Sequence, residues 1–179
     1  MAKPDTLIDT CCLVNVCAVD EPASILPQIP LKWYLARSVE REEISIRPHP
    51  DAKRHERRRI DLSSCIASGI LQRCDAESKD ELELYVRLAS KLDDGEAMPL
   101  AIAAVRKWAV ATDDIAAIKV AHDLGVVTLS TPELIRLWAR QSNADAMKIA
   151  EAIKRIETLA RYVPSSKLAA ADWWQNSRR

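Results

Sequence analysis

The chain has 179 residues, enough for one compact domain, and its 48 % hydrophobic and 29 % charged composition excludes a disordered polypeptide. Lys plus Arg and Asp plus Glu both total 26, so net charge selects neither a basic nor an acidic class of partner. No run approaches the roughly 18 apolar residues of a membrane helix, and Asp9 breaks the apolar run of "MAKPDTLIDT" before signal-peptide length, so a cytoplasmic protein without membrane contact is expected.

In chain order, "TLID" (6–9) reads as a short strand ending on Asp9, and "TCCLVNVCA" (10–18) as a buried helix. Residues 31–46 read as a helix followed by a short strand. From 47 to 80 the periodicity dissolves into a basic stretch, a small apolar unit "LSSCIASGILQRC" and a polar stretch. A helix resumes at about 81–92, and 97–107 reads as a largely buried helix. "WAVAT" (108–112) has the short apolar run of an interior strand, 115–125 is helical with a closing Gly, and "VVTL" (126–129) is a strand. Ser130 or Thr131 can cap the helix 130–140, with Pro132 in its first turn and Glu133 completing a capping box. The spacing predicts a further helix over 143–161, opened by Asn143.

Helices alternating with strands at this spacing require crossover connections and a parallel sheet covered on both faces. The expected fold is an α/β three-layer α/β/α sandwich with a central parallel sheet. One domain spans 1–163 with an elaboration at 47–80, and a tail at 164–179 packs Trp173 and Trp174 onto the domain or a second subunit. The five Cys are odd in number and lack C-x-x-C spacing, so buried reduced thiols are expected and a zinc site is not.

Ligands of open parallel sheets bind beyond the carboxyl ends of the strands. Asp9 ends the first strand, Asp113 and Asp114 end the strand 108–112, and Glu96 opens the helix that feeds it. Glu42 or Glu43, in "EREE" (40–43), adds a further acid. Taken singly, Asp9, Asp94 and Asp113 or Asp114 would serve as helix caps, and Glu96 as an ordinary first-turn acid. Capping consumes only one of the two adjacent acids, however, and several carboxylates fall at one edge. Clustered carboxylates without His or Cys suit a hard cation, Mg²⁺ or Mn²⁺, which removes their mutual repulsion. Such ions promote phosphodiester hydrolysis by metal-activated water, with no side-chain nucleophile.

Three stretches resemble those of the PIN-domain nucleases, the family that includes the ribonuclease toxins of toxin–antitoxin pairs. They are "LIDTCCLVNV" (7–16), "LDDGEAMPLAIA" (92–103) and "VATDDIAAIKVAHDLGVVTLSTPELI" (110–135). The resemblance implies Asp9, Glu96 and Asp114 as metal-binding acids, with Asp113 as a second ligand or water-positioner. Thr112 and Thr10 would support the metal waters, with Asp94 nearby. "VERE" (39–42) matches the family's second-acid pattern and implies Glu42 in catalysis, with Glu43 the alternative. It further implies an RNA substrate, an antitoxin partner and a homodimer. Pro99 departs from a regular helix after Glu96, where an interior N–H is lost.

The run "KRHERRR" (53–59) is the densest positive stretch. Arg47, Lys53, Arg54, Arg57, Arg58 and Arg59 are candidate contacts to a phosphate backbone, the alternative being a solvated face paired with Glu. Two other readings stay open: a catalytically silent scaffold that binds RNA or protein, and an Asp-based phosphoacceptor domain.

Overall fold

The computed structural model describes residues 3–40, 44–53 and 55–178. Seven strands and ten α-helices are defined among them. The central sheet is built from β1 (Asp5–Ile8), β2 (Lys32–Ala36), β5 (Leu71–Cys74), β6 (Ala109–Ala111) and β7 (Thr128–Leu129). Every pairing in it is parallel, and the strands lie in the order β5-β2-β1-β6-β7. A small antiparallel hairpin, β3 (Ser45–Ile46) with β4 (Arg58–Arg59), stands apart from this sheet.

Helices cover both faces, giving the three-layer α/β/α sandwich expected from the sequence. α1 (Thr10–Val19) packs with α8 (Thr131–Gln141) and α9 (Ala146–Arg155). α6 (Asp94–Arg106) packs with α5 (Lys79–Leu88) and α7 (Ile115–Asp123). Short helices α2 (Pro22–Ile25), α3 (Arg37–Glu40) and α4 (Ser63–Ala67) fill connections, and α10 (Ala171–Ser177) closes the chain. The core is continuous through the layers, from Leu7, Ile8 and Leu35 in the sheet to Leu13, Leu100 and Trp174 in the helices. Among the described residues no helix is long and apolar enough to cross a membrane.

Three sequence expectations are corrected. Residues 32–36, expected in a helix, form β2 inside the sheet between β5 and β1, with Trp33, Tyr34, Leu35 and Ala36 all buried. A strand buried on both faces shows no alternation, so a run of four such residues cannot be told from a helix by period alone. The edge strand β5 lies inside the 47–80 segment that showed no clear pattern, which therefore contributes to the sheet itself. Finally, α9 opens at Asp145, whose carboxylate accepts the Lys148 N–H at 2.8 Å, while Asn143 sits in a left-handed turn at φ 51°. A π-helical turn over 156–160 then ends the segment.

Pro99 lies inside α6, which nonetheless runs from Asp94 to Arg106. Gly125 adopts φ 69° after α7, the left-handed end that its position in the sequence implied. Glu133 accepts the Ser130 N–H at 2.9 Å, as a capping box does. No disulfide joins the five Cys; Cys12, Cys17 and Cys65 are buried, Cys74 is half-buried, and Cys11, against expectation, is exposed. The tail packs onto the domain through Trp174, which is fully buried and meets the Tyr162 ring edge-on at 5.9 Å.

Candidate active site

The chain leaves β1 outward through β2 to β5, then returns to β6 and proceeds outward to β7. The sheet order therefore reverses between β1 and β6, and the connections that follow these strands, α1 and α7, depart to opposite faces. The crevice outside the carboxyl ends at such a switch point is where open α/β sheets bind ligands. Leu7 pairs with Val110 and Ile8 with Ala111, so Asp9 comes level with Thr112. The Asp9 N–H donates to Ala111 O at 3.1 Å, and the Thr112 N–H to Leu129 O at 3.0 Å. The ladder thus delivers Asp9, Thr112, Asp113 and Asp114 to this crevice.

Asp9 is the N-cap of α1: its Oδ1 accepts the Cys12 N–H at 2.6 Å, and only 8 % of the residue is exposed. Burial pushes its carboxyl up to about 6, with the charge of Asp113 adding, while the Cys12 N–H and the Thr112 hydroxyl hold it down. Thr112 is buried, and its Oγ1 accepts the Asp114 N–H at 3.2 Å, leaving its own proton for Asp9. Asp114 caps α7, with Oδ1 accepting the Ala117 N–H at 2.7 Å. Glu96 lies in the first turn of α6, half-buried; burial raises its carboxyl, and the charges of Asp114, Asp93 and Asp9 raise it further. Acids from three separate stretches of chain therefore meet at one edge, where the charges of Asp114 and Asp9 reach Glu96.

Asp113 makes the densest contacts. Its Oδ1 accepts the Thr131 N–H at 2.8 Å. Its Oδ2 accepts the Thr131 hydroxyl at 2.5 Å, the Asn15 amide at 3.2 Å and the Cys12 thiol at 3.4 Å. Asn15 also donates to Thr131 Oγ1 at 3.0 Å. Both Asp113 oxygens are thus engaged by protein donors, and these bonds join α1 to the start of α8. Burial, reinforced by Asp9 and Asp113, pushes the Cys12 thiol well above its ordinary value, so it is a neutral donor. The Tyr162 hydroxyl is buried beside Asp113 and Thr131 and, among the described residues, completes no hydrogen bond.

Cys12, Asn15, Thr131 and Tyr162 were not anticipated as part of this site. Asn15 carried a signal: it is the one amide in the apolar helix "TCCLVNVCA", and a buried amide requires a partner.

The other anticipated residues divide. Glu42, Glu43 and Arg54 lie outside the described residues. Thr10 begins α1 at the crevice. Asp94 is exposed and accepts the Tyr85 hydroxyl at 2.8 Å, which turns it toward α5; the N-cap of α6 is Asp93. Arg58 is paired with Glu21 at 2.8 Å, Lys53, Arg57 and Arg59 are exposed, and Arg47 is buried. A cavity of about 570 Å³ lined by Pro4, Leu31, Lys107 and Trp108 lies at the opposite edge of the sheet, away from the acids.

Among the described residues no three His, Cys, Asp or Glu side chains are gathered closely enough to hold a metal ion as they stand. The geometry gives the reason: Asp9 and Asp114 are each turned onto the N-terminus of their own helix, and Asp113 onto Thr131. The donor set still fits a hard cation, being all oxygen, short of positive charge and raised in pKa at Asp9 and Glu96. No protein-family model and no curated protein matches the chain.

Proposed function

We propose that the protein is a Mg²⁺- or Mn²⁺-dependent ribonuclease of the PIN-domain kind, hydrolysing RNA phosphodiester bonds at the switch-point crevice. The observation that carries this reading is the placement of Asp9, Asp114 and Glu96 at one sheet edge, where burial raises the carboxyls of Asp9 and Glu96 and the charges of Asp114 and Asp9 raise Glu96 further. Asp9, Glu96 and Asp114 would hold the cation, with Glu42 or Glu43 as the further acid implied by the resemblance. When bound, Mg²⁺ or Mn²⁺ lowers the pKa of water and stabilises charge on phosphoryl oxygens.

The chain's own residues supply the rest. The Thr112 hydroxyl orients Asp9, and the network from Asn15 and Thr131 fixes Asp113, holding α1 and α8 at a set spacing behind the site. The N-termini of α1 and α7 point their positive ends into the crevice, which favours a phosphate there. The toxin role, with an antitoxin partner and a homodimer, belongs to the same resemblance.

A second reading, a catalytically silent RNA-binding scaffold, is favoured by one observation: every described strand-end Asp is already taken up by a backbone N–H. Cleavage of a mixed single-stranded and structured RNA pool separates the two. Cutting with Mn²⁺ that is lost with EDTA and in Asp114→Asn supports the nuclease. Equal cutting by Asp114→Asn, or none with any divalent ion, removes it.

A further inference from the structure

The hairpin and the π-helical turn bring like charges together. Ile46 pairs with Arg58 and Ser45 with Arg59, and Arg47 and Arg57 are the next residues beyond the last pair on the two strands. The Arg47 N–H donates to Leu159 O at 3.1 Å, which ties the hairpin to the turn at 156–160. Arg161 follows that turn in a left-handed conformation, φ 58°, which a non-glycine residue adopts only under constraint. Burial, then the charges of Arg161 and Arg57, push the Arg47 guanidinium below its ordinary value.

Like charges brought close across a hairpin weaken it. Arg58 is neutralised by Glu21 at 2.8 Å, and Glu56 faces His49 at 3.8 Å. Among the described residues, by contrast, none of Arg47, Arg57 and Arg161 forms an ion pair with a carboxylate. The Arg47 Nη1 donates to Pro50 O at 3.3 Å, which fixes the side chain without neutralising it. The residue after Arg161 is Tyr162, whose hydroxyl lies beside Asp113. The cluster therefore stands one residue along the chain from the acidic crevice.

We propose that Arg47, Arg57 and Arg161 form a phosphodiester-binding site that grips the backbone of single-stranded RNA beside the acid cluster. Guanidinium groups match phosphate oxygens in a fork geometry, and an anion there relieves the repulsion among the three. The choice of RNA rests on the nuclease reading; the anion site rests on the arginines.

The test is fluorescence anisotropy of a labelled single-stranded RNA in EDTA, where metal-dependent cleavage cannot occur, over a range of salt. Arg57 and Arg161 are exposed, so the charge-removing pair R57Q/R161Q leaves the core intact. That variant is expected to bind at least tenfold more weakly, with a log K against log salt slope shallower by about 1.4, since each lost phosphate contact on a single strand removes about 0.7. R57K/R161K should recover most of the slope, and Arg87→Ala, on the exposed face of α5, should match the wild type. An unchanged slope in R57Q/R161Q, no salt-dependent RNA binding by the wild type, or displacement of RNA by poly-glutamate at equal charge would each overturn the proposal. Failure of the nuclease reading shows separately, as absent Mn²⁺-dependent cleavage with cluster-dependent binding intact.

Discussion

The carboxylate of Asp113 accepts both the backbone N–H of Thr131 at 2.8 Å and its side-chain hydroxyl at 2.5 Å, linking the end of β6 to the start of α8. Its neighbour Asp114 instead caps α7 through Ala117. Two adjacent acids thus serve two different helices, and their substitution should separate stability from activity.

Asp113→Ala leaves the Thr131 N–H and the Asn15 amide without their acceptor in a half-buried site. Hydrogen bonds to a charged group contribute about 1.5–3 kcal/mol, so a loss of about 2–3 kcal/mol is expected by chemical denaturation. Asp114→Asn retains a good cap and should unfold within about 0.5 kcal/mol of the wild type while losing RNA cleavage. Equal stability of the two variants would contradict this division.

Asp9 gives stability a pH dependence of known sign. Its folded pKa is raised from 3.8 to about 6, so the folded state holds the proton more tightly than the unfolded chain. The favourable contribution is present below about pH 4 and is lost as pH rises through about 6. Between pH 7 and 5 the protein should gain about 1 kcal/mol, with Glu96 shifting in the same direction. Asp9→Asn keeps the cap, removes the buried charge, and should be more stable at pH 7 with a flatter profile. A wild type that loses stability over this window would refute the assignment.

Glu81 acts with the opposite sign at lower pH. Burial alone would raise its carboxyl, but hydrogen bonds from Arg106 and the Ser78 and Glu77 N–H groups outweigh it and hold the pKa at about 2. The Arg106 Nε lies 2.6 Å from Glu81 Oε1, and the residue is 2 % exposed. Stability from this pair is present above about pH 4.5 and is lost as pH falls toward 2. Glu81→Ala leaves Arg106 with the Asp75 carbonyl at 2.8 Å and Glu77 at 3.8 Å, and should cost about 2–3 kcal/mol through the lost charge-assisted hydrogen bonds. A thermal shift below a few degrees would show that the guanidinium finds another partner.

Trp174 ties the tail to the body. Its ring is fully buried, meets Tyr162, and donates its Nε1–H to Glu157 at 3.1 Å. Trp174→Ala should cost about 3–5 kcal/mol, and because Tyr162 borders Asp113 it should also weaken metal binding at the crevice. Metal affinity unchanged in a folded Trp174→Ala protein would confine the tail to a role in stability.

The C-terminal half was the legible part of the chain. Gly125, Pro132 and the Ser130–Glu133 box mark their elements through local chemistry, which sequence displays directly. β2 and β5 escaped because burial on both faces, or a length of four residues, leaves no period to read. At the site, the strand-end acids were visible because topology alone places Asp9 beside Thr112. The partners of Asp113 were not, since Asn15 is 98 residues away and meets it only through the packing of α1 against α8.

Whether these carboxylates together hold a divalent cation is read most directly by a Mn²⁺ titration followed by electron paramagnetic resonance at pH 7. The wild type should take up Mn²⁺ displaceable by Mg²⁺, with affinity rising with pH through about 6 as Asp9 gives up its proton, and Asp9→Asn and Asp114→Asn should each weaken it at least tenfold. No saturable Mn²⁺ uptake by the wild type, or uptake unchanged in both variants, would contradict a cation site at these carboxylates.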